Sequence, residues 1–169
     1  FLDEKALGGR RLGVLRQYTG YHPEVDRLFG EALAALKEAG AELVDPVELP
    51  KDSEYGDAEF NVLLYEFKAG LQAYLAHCPP AIRARTLEEL IAFNEANRAA
   101  EMPYFGQVIF VRALAKGPLT AQEYIEARAR CLRLAREEGI DATLAKHRLD
   151  ALVAPTGGPA WVTDWVNGD

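Results

Sequence analysis

The chain has 169 residues, 49% hydrophobic and 27% charged, enough apolar material for a real core and, by length, for one globular domain. Its formal net charge of −7 argues against a nucleic-acid surface, because phosphate binding needs a concentrated basic stripe. Arg10-Arg11 and Arg83/Arg85 are too short to make one. No apolar run is long enough to cross a bilayer and no secretory signal opens the sequence, so a cytoplasmic protein away from membranes is expected.

In chain order, Arg11-Leu12-Gly13-Val14-Leu15 is short, apolar and preceded by Gly8-Gly9, which predicts a buried strand. Pro23 then opens a helix, with Glu24 and Asp26 near its positive end. Val25, Leu28, Phe29, Ala32, Leu33 and Leu36 share one predicted face, and Gly40 supplies the stop. Ala41–Val47 reads as a second strand. The strand, helix and strand with short joins predict a parallel crossover.

The middle reads as helical. Phe60, Leu63, Leu64, Phe67, Leu71, Tyr74 and Leu75 form an apolar stripe that Pro79-Pro80 ends. Thr86 with Glu89, and Thr120 with Glu123, read as capping boxes. Between them, Val108, Val111 and Leu114 predict a short helix ending at Gly117. After Thr120 a long helix turns Tyr124, Ile125, Cys131, Leu132 and Ala135 inward, and its charged residues form a solvated face. Leu149–Val153 gives a third strand that runs into a Pro/Gly loop. Three strands are few for so much helix, so at least one sheet edge is expected to pair with strands from elsewhere. The fold class is α/β, a partial mixed or parallel sheet with covering helices, and no linker divides residues 1–169.

Three segments are candidates for chemistry. Pro155–Trp161 follows the carboxyl end of a predicted parallel strand, where open α/β sheets place ligands. Gly157 and Gly158 allow close approach there and Thr156 offers a hydroxyl, though a turn whose glycines serve only geometry fits as well. Glu101–Gln107 gathers aromatic, glycine and amide groups between two helices, as a pocket wall or as a helix corner. The third is the acidic loop around Ser53, the one serine of the chain. With only Lys51 nearby as a base, Ser53 reads as a solvated hydroxyl. Cys78 and Cys131 lack metal-type spacing and read as reduced core thiols. His77 beside Cys78 is an unfavourable dyad, because sequence neighbours rarely meet in space. His22 and His147 have no partner at ligand spacing, so neither zinc nor another cofactor is expected.

These residues carry a resemblance. Phe1-Leu2-Asp3, Leu7–Val14, Gly40–Pro46, Leu64–Lys68, Glu101–Gln107, Ala115–Thr120 and Leu149–Trp161 resemble, in order and across nearly the whole chain, one region of the amidase-signature family. The resemblance implies part of that family's α/β/α fold and an amidase that converts a carboxamide to carboxylate and ammonia. In that family a lysine base takes a proton through a cis serine from a nucleophilic serine, in a Gly/Ser-rich stretch. Nothing here matches that stretch, which would precede Phe1, so no catalytic residue is assigned. The six lysines do not occur in that context either. The start at Phe1 reads as a cut, and the chain as a segment of an amidase domain, inactive alone.

The resemblance further implies substrate-facing positions at Tyr104, Gln107, Thr156, Trp161 and Asp169. The implied partners are a small-molecule amide and the rest of the amidase domain, with homo-oligomerisation open. The competing reading is a non-catalytic α/β module that binds a small ligand or a partner at its open sheet edge.

Overall fold

The computed structural model describes residues 3, 5–50 and 52–166. The chain divides into two compact units, one formed by Phe1–Lys51 with Leu132–Asp169 and the other by Asp52–Cys131. Neither boundary carries a Gly/Ser-rich or Pro-rich linker, which is why composition shows no division.

The first unit holds the sheet. Strands β1 (Arg11–Leu15), β2 (Glu42–Val47) and β3 (Ala151–Val153) run parallel in the order β2-β1-β3. Helix α1 (Pro23–Glu38) is the connection from β1 to β2. His22 caps it, its Nδ1 accepting from the Val25 N–H, and Pro23 takes the first position, where a missing N–H costs nothing. At the other end Gly40 N–H donates to the Lys37 carbonyl and Ala41 N–H to Leu36. That is a Schellman closure, and it needs the positive φ of +94° that Gly40 adopts. Leu33 is the fully buried residue of α1, with Val25, Phe29 and Leu36 half-buried. Leu28 and Ala32, predicted on the same face, are exposed: a single helix needs only a narrow stripe to cover so small a sheet.

At the centre of the sheet a side chain is excluded. A Cβ on Gly13 would lie 2.5 Å from Leu149 Cδ1, 2.8 Å from Val47 Cγ2 and 2.9 Å from Leu152 Cδ2. The flanking Leu12, Val14 and Leu15 are buried, so β1 reads as the continuous apolar run of a central parallel strand.

The amino ends of the strands are fastened by charge. Asp150 accepts from the Arg11 N–H at 2.8 Å and from Arg10 Nη1 at 3.0 Å, while its own N–H donates to the Arg11 carbonyl. Arg11 also pairs with Glu42 and donates to the Arg148 carbonyl. Before β3 the chain passes through a π-helical segment (Leu132–Asp141) and a short helix, α7 (Ala142–His147), that follows it. Here the sequence reading needs correction. Leu134 and Gly139 are the buried positions, whereas Leu132 is exposed. A π-helix closes i→i+5 bonds, so the α-helical phase used for the prediction does not hold through this segment.

The second unit is helical: α2 (Gly56–Ala76), α3 (Leu87–Ala96), α4 (Arg98–Glu101), α5 (Val108–Leu114) and α6 (Gln122–Cys131). Leu64, Leu87 and Ala113 form its buried core, with Phe60, Phe67, Leu71, Ile91, Phe110 and Leu114 packed against them. Leu63 and Tyr74 of the predicted stripe are exposed, and Tyr65 is buried in their place. Its hydroxyl donates to Glu123 at 2.6 Å, and reciprocally Tyr124 donates to Glu66 at 2.7 Å, the two rings lying 5.4 Å apart. The Thr86/Glu89 capping box is complete. The Thr120/Glu123 pair is not a box: α6 begins at Gln122, and Tyr65 and Lys116 take the Glu123 carboxylate.

Two outcomes test these contacts. Gly13→Ala should destabilise the protein by about 1–3 kcal/mol in chemical denaturation, because three side chains must move at once. Asp150 is held below its usual carboxyl range, first by the Arg11 N–H and then by Arg10. Its contribution is therefore present above the unfolded-state value and is lost as pH falls through the lower folded-state value. Asp150→Asn should flatten the acid limb of a stability–pH curve and leave its shape above pH ~6 unchanged.

Candidate functional site

In the first unit the loops that leave the carboxyl ends of the strands converge, the position where open α/β sheets bind ligands. After β1 comes a single turn, Arg16–Tyr18, and then Tyr21. Tyr21 Oη donates to the Gly157 carbonyl at 2.7 Å and so ties the loop after β1 to the loop after β3. Gly158 lies beneath the same ring: a Cβ there would sit 3.9 Å from Tyr21 Cε2. Thr156 and Trp161 are exposed on the loop that this bond anchors. Beside it, the Arg16 guanidinium grips the Asp45 carboxylate through two bonds of 2.8 and 2.5 Å. That bidentate grip holds Asp45 below its usual range and raises Arg16. Tyr21 was not a sequence candidate. Its place between Gly20 and the His22-Pro23 helix start, in the loop after β1, was the available signal.

The second group lies in the helical unit. Tyr104 and Phe105 are exposed in the corner between α4 and α5, and Gln107 forms the last residue before α5. The Gln107 amide is fully engaged. Its Nε2 donates to the Ile91 carbonyl at 3.2 Å and to Glu95 Oε1 at 2.8 Å, and its Oε1 accepts from Asn94 at 3.1 Å. Glu95 is also gripped by Arg98, and its carboxyl is held below the usual range, first by Gln107 and then by Arg98. Thus Tyr104 and Gln107 belong to one unit and Thr156 and Trp161 to the other; Asp169 lies outside the described residues.

Among the described residues no nucleophile–base pair is assembled around the reactive side chains. Ser53 is exposed in a short turn, Asp52–Glu54. His77 Nδ1 sits 2.8 Å from the Ala73 carbonyl, and Cys78 Sγ donates to Tyr74, so both side chains fold back onto the last turn of α2. Burial, more than nearby Glu59, pushes the Cys131 thiol up, away from the reactive thiolate. Among the described residues no cluster of His, Cys, Asp or Glu could hold a metal ion, and no helix is long and apolar enough to cross a membrane.

The sequence profile of the amidase family matches residues 2–165. The chain belongs to that family. It is 29% identical over 161 residues to a relative from Arthroderma benhamiae that carries the name of an amidase, covering 91% of this chain and 27% of that protein. The structure is similar to the native peptide amidase from Stenotrophomonas maltophilia, with a TM-score of 0.82 and 45% identity. It is also similar to a peptide amidase in complex with the competitive inhibitor chymostatin, with a TM-score of 0.85 and 45% identity. In both, the match covers 94% of this chain and 32% of the other. The chain therefore spans about a third or less of the amidases it matches. Family membership and the α/β class with a parallel sheet agree with the resemblance drawn from the ordered motifs.

The Gln107 network has a direct readout. Gln107→Leu removes the Gln107 N–H that holds Glu95 most strongly, so the Glu95 carboxyl should titrate at higher pH in the variant, followed by side-chain carboxyl NMR. An unchanged titration would mean that Arg98 alone sets it.

Proposed function

We propose that these residues form scaffold and substrate-pocket elements of an amidase that hydrolyses a peptide carboxamide to carboxylate and ammonia. The observation that carries this reading is the family match over residues 2–165, supported by 45% identity to solved peptide amidases. The carboxyl-edge loops joined by Tyr21 and Gly157 support it, because open α/β sheets bind ligands at that edge.

On this reading the chain lends recognition, and the bond-breaking groups come from sequence outside these residues. The family's chemistry needs a nucleophilic serine, a cis serine and a lysine, whereas Ser53, the one serine here, is exposed with no base beside it among the described residues. A neutral lysine there would receive the nucleophile's proton through the second serine. The serine oxygen would attack the amide carbonyl, ammonia would leave, and water would release the acid. Thr156, Trp161 and Tyr104 are proposed as substrate contacts, and Gln107 as the residue that sets the α4–α5 corner. Asp169 is proposed as an acidic contact on family resemblance alone. The 169 residues are proposed to act as one segment of the amidase domain.

The test is ammonia release from an N-acetyl dipeptide amide. The protein encoded by the whole reading frame should release ammonia, and the 169-residue chain alone should not. In the active protein, Trp161→Ala should lower kcat/KM about tenfold and Ser53→Ala should leave it unchanged. Turnover by the isolated chain, or none by the whole protein, would overturn the reading.

A further inference from the structure

The helical unit contains a cavity of about 310 Å³ at the α4–α5 corner, lined by Glu95, Arg98, Gln107, Val108, Val111 and Arg112 among others. Its charges do not cancel. Glu95 takes Nε and Nη2 of Arg98 at 3.1 and 2.8 Å and a third bond from Gln107, so its carboxylate is fully answered from within the fold. Arg112 is different. Its guanidinium lies 4.5 Å from the centre of the Phe60 ring, and it has no hydrogen-bond or carboxylate partner among the described residues. One carboxylate and two guanidiniums thus line the cavity, leaving a positive charge in a chain whose net charge is −7.

The rest of the lining defines what that charge suits. Val108 and Val111 are exposed, and they offer an apolar wall one helical turn long. Gln107 is spent on Ile91, Glu95 and Asn94, so it holds the wall in place and has little left to offer a ligand. The Arg112 guanidinium lies over the Phe60 ring and is exposed, and an arginine with free N–H groups can bind a planar carboxylate through paired bonds. A short methylene stem against the valines with a carboxylate at Arg112 satisfies both surfaces; a neutral amide of the same shape satisfies only one.

We propose that this cavity binds the carboxylate side chain of an acidic residue, glutamate or aspartate, in a peptidic ligand. The proposal deepens the peptide-amide reading and rests on it for the peptidic nature of the ligand. Its position adds a selectivity for acidic sequence that amide hydrolysis does not require.

The experiment is a calorimetric titration of the full chain with N-acetyl-Ala-Glu-Ala-amide and with the otherwise identical glutamine peptide. The glutamate peptide should bind about fivefold more tightly at low salt, as for a partly exposed charge pair worth about 1 kcal/mol, and the margin should shrink as salt rises. Arg112→Gln should abolish the margin and Arg112→Lys should retain part of it, with circular dichroism confirming both folds. Equal affinity for the two peptides, failure of both to bind, or a margin that survives Arg112→Gln would overturn the proposal. Hydrolysis is not involved in this readout. Loss of the margin while the whole enzyme still cleaves neutral peptide amides would remove only the acidic site. Absence of any amide cleavage would remove the amidase reading and leave the binding preference standing.

Discussion

The close approach at Gly13 is the constraint on which the sheet-bearing unit depends. Val47 from β2, Leu152 from β3 and Leu149 just before it all reach into the space a side chain would fill. A parallel sheet of three strands has little area with which to exclude water. It compensates by bringing its neighbours in over the central strand, and Leu12, Val14 and Leu15 are buried as a result. The pairing register follows: Gly13 opposes Val44 and Leu152, and slips only beyond it, between Gly13 and Leu15. The carboxyl-edge loops inherit their positions from that register. Tyr21 can reach Gly157 because β1 and β3 are neighbours with Val14 opposite Val153.

The two ends of the sheet then serve different purposes. At the amino ends, Arg10, Arg11, Glu42 and Asp150 are consumed in fastening strand to strand. At the carboxyl ends the fastening is a hydroxyl on a backbone carbonyl and an Arg16–Asp45 pair set to one side, which leaves Thr156 and Trp161 facing solvent. The helical unit divides its polar groups in a similar way. Tyr65 and Tyr124 exchange hydrogen bonds with Glu123 and Glu66 between α2 and α6. Lys68 closes the end of α5 on the Leu114 and Lys116 carbonyls, and Arg85 binds the Leu75, Cys78 and Pro79 carbonyls where α2 ends. No buried side-chain nitrogen or oxygen among the described residues is left without a partner. Arg112, by contrast, lies over the Phe60 ring with no hydrogen-bond partner among the described residues.

Much of the fold was legible because the signals were local. A Pro at a helix start, a Gly at a helix stop, a capping box and an apolar run each act within a few residues, and α1, α3 and β1 follow them closely. What the sequence concealed depends on partners far along the chain. Glu123 looks like a capping glutamate until Tyr65, 58 residues earlier, claims it. Leu132 looks inward until the backbone widens into a π-helix and Leu134 takes its place. The candidate site divides along the same line. The Pro/Gly loop after a strand was readable from its sequence as a loop at the carboxyl edge of the sheet, whereas the spent amide of Gln107 and the stacking of Arg112 on Phe60 follow only from which neighbours each side chain meets.

A reaction needs groups that the fold has not already used, and several nucleophile and base candidates among the described residues are engaged. His22 caps α1, and His77 and Cys78 turn back on α2. The Thr143 hydroxyl donates to the Glu48 carbonyl, and Lys116 is shared between Glu123 and the Tyr65 ring. Each would have to break a hydrogen bond before it could act as a nucleophile or base. Other groups face solvent, among them the Trp161 ring, the Thr156 hydroxyl on its glycine loop and the Arg112 guanidinium. This division fits the proposed reading, in which these residues supply shape and charge and the bond-breaking groups come from elsewhere in the protein.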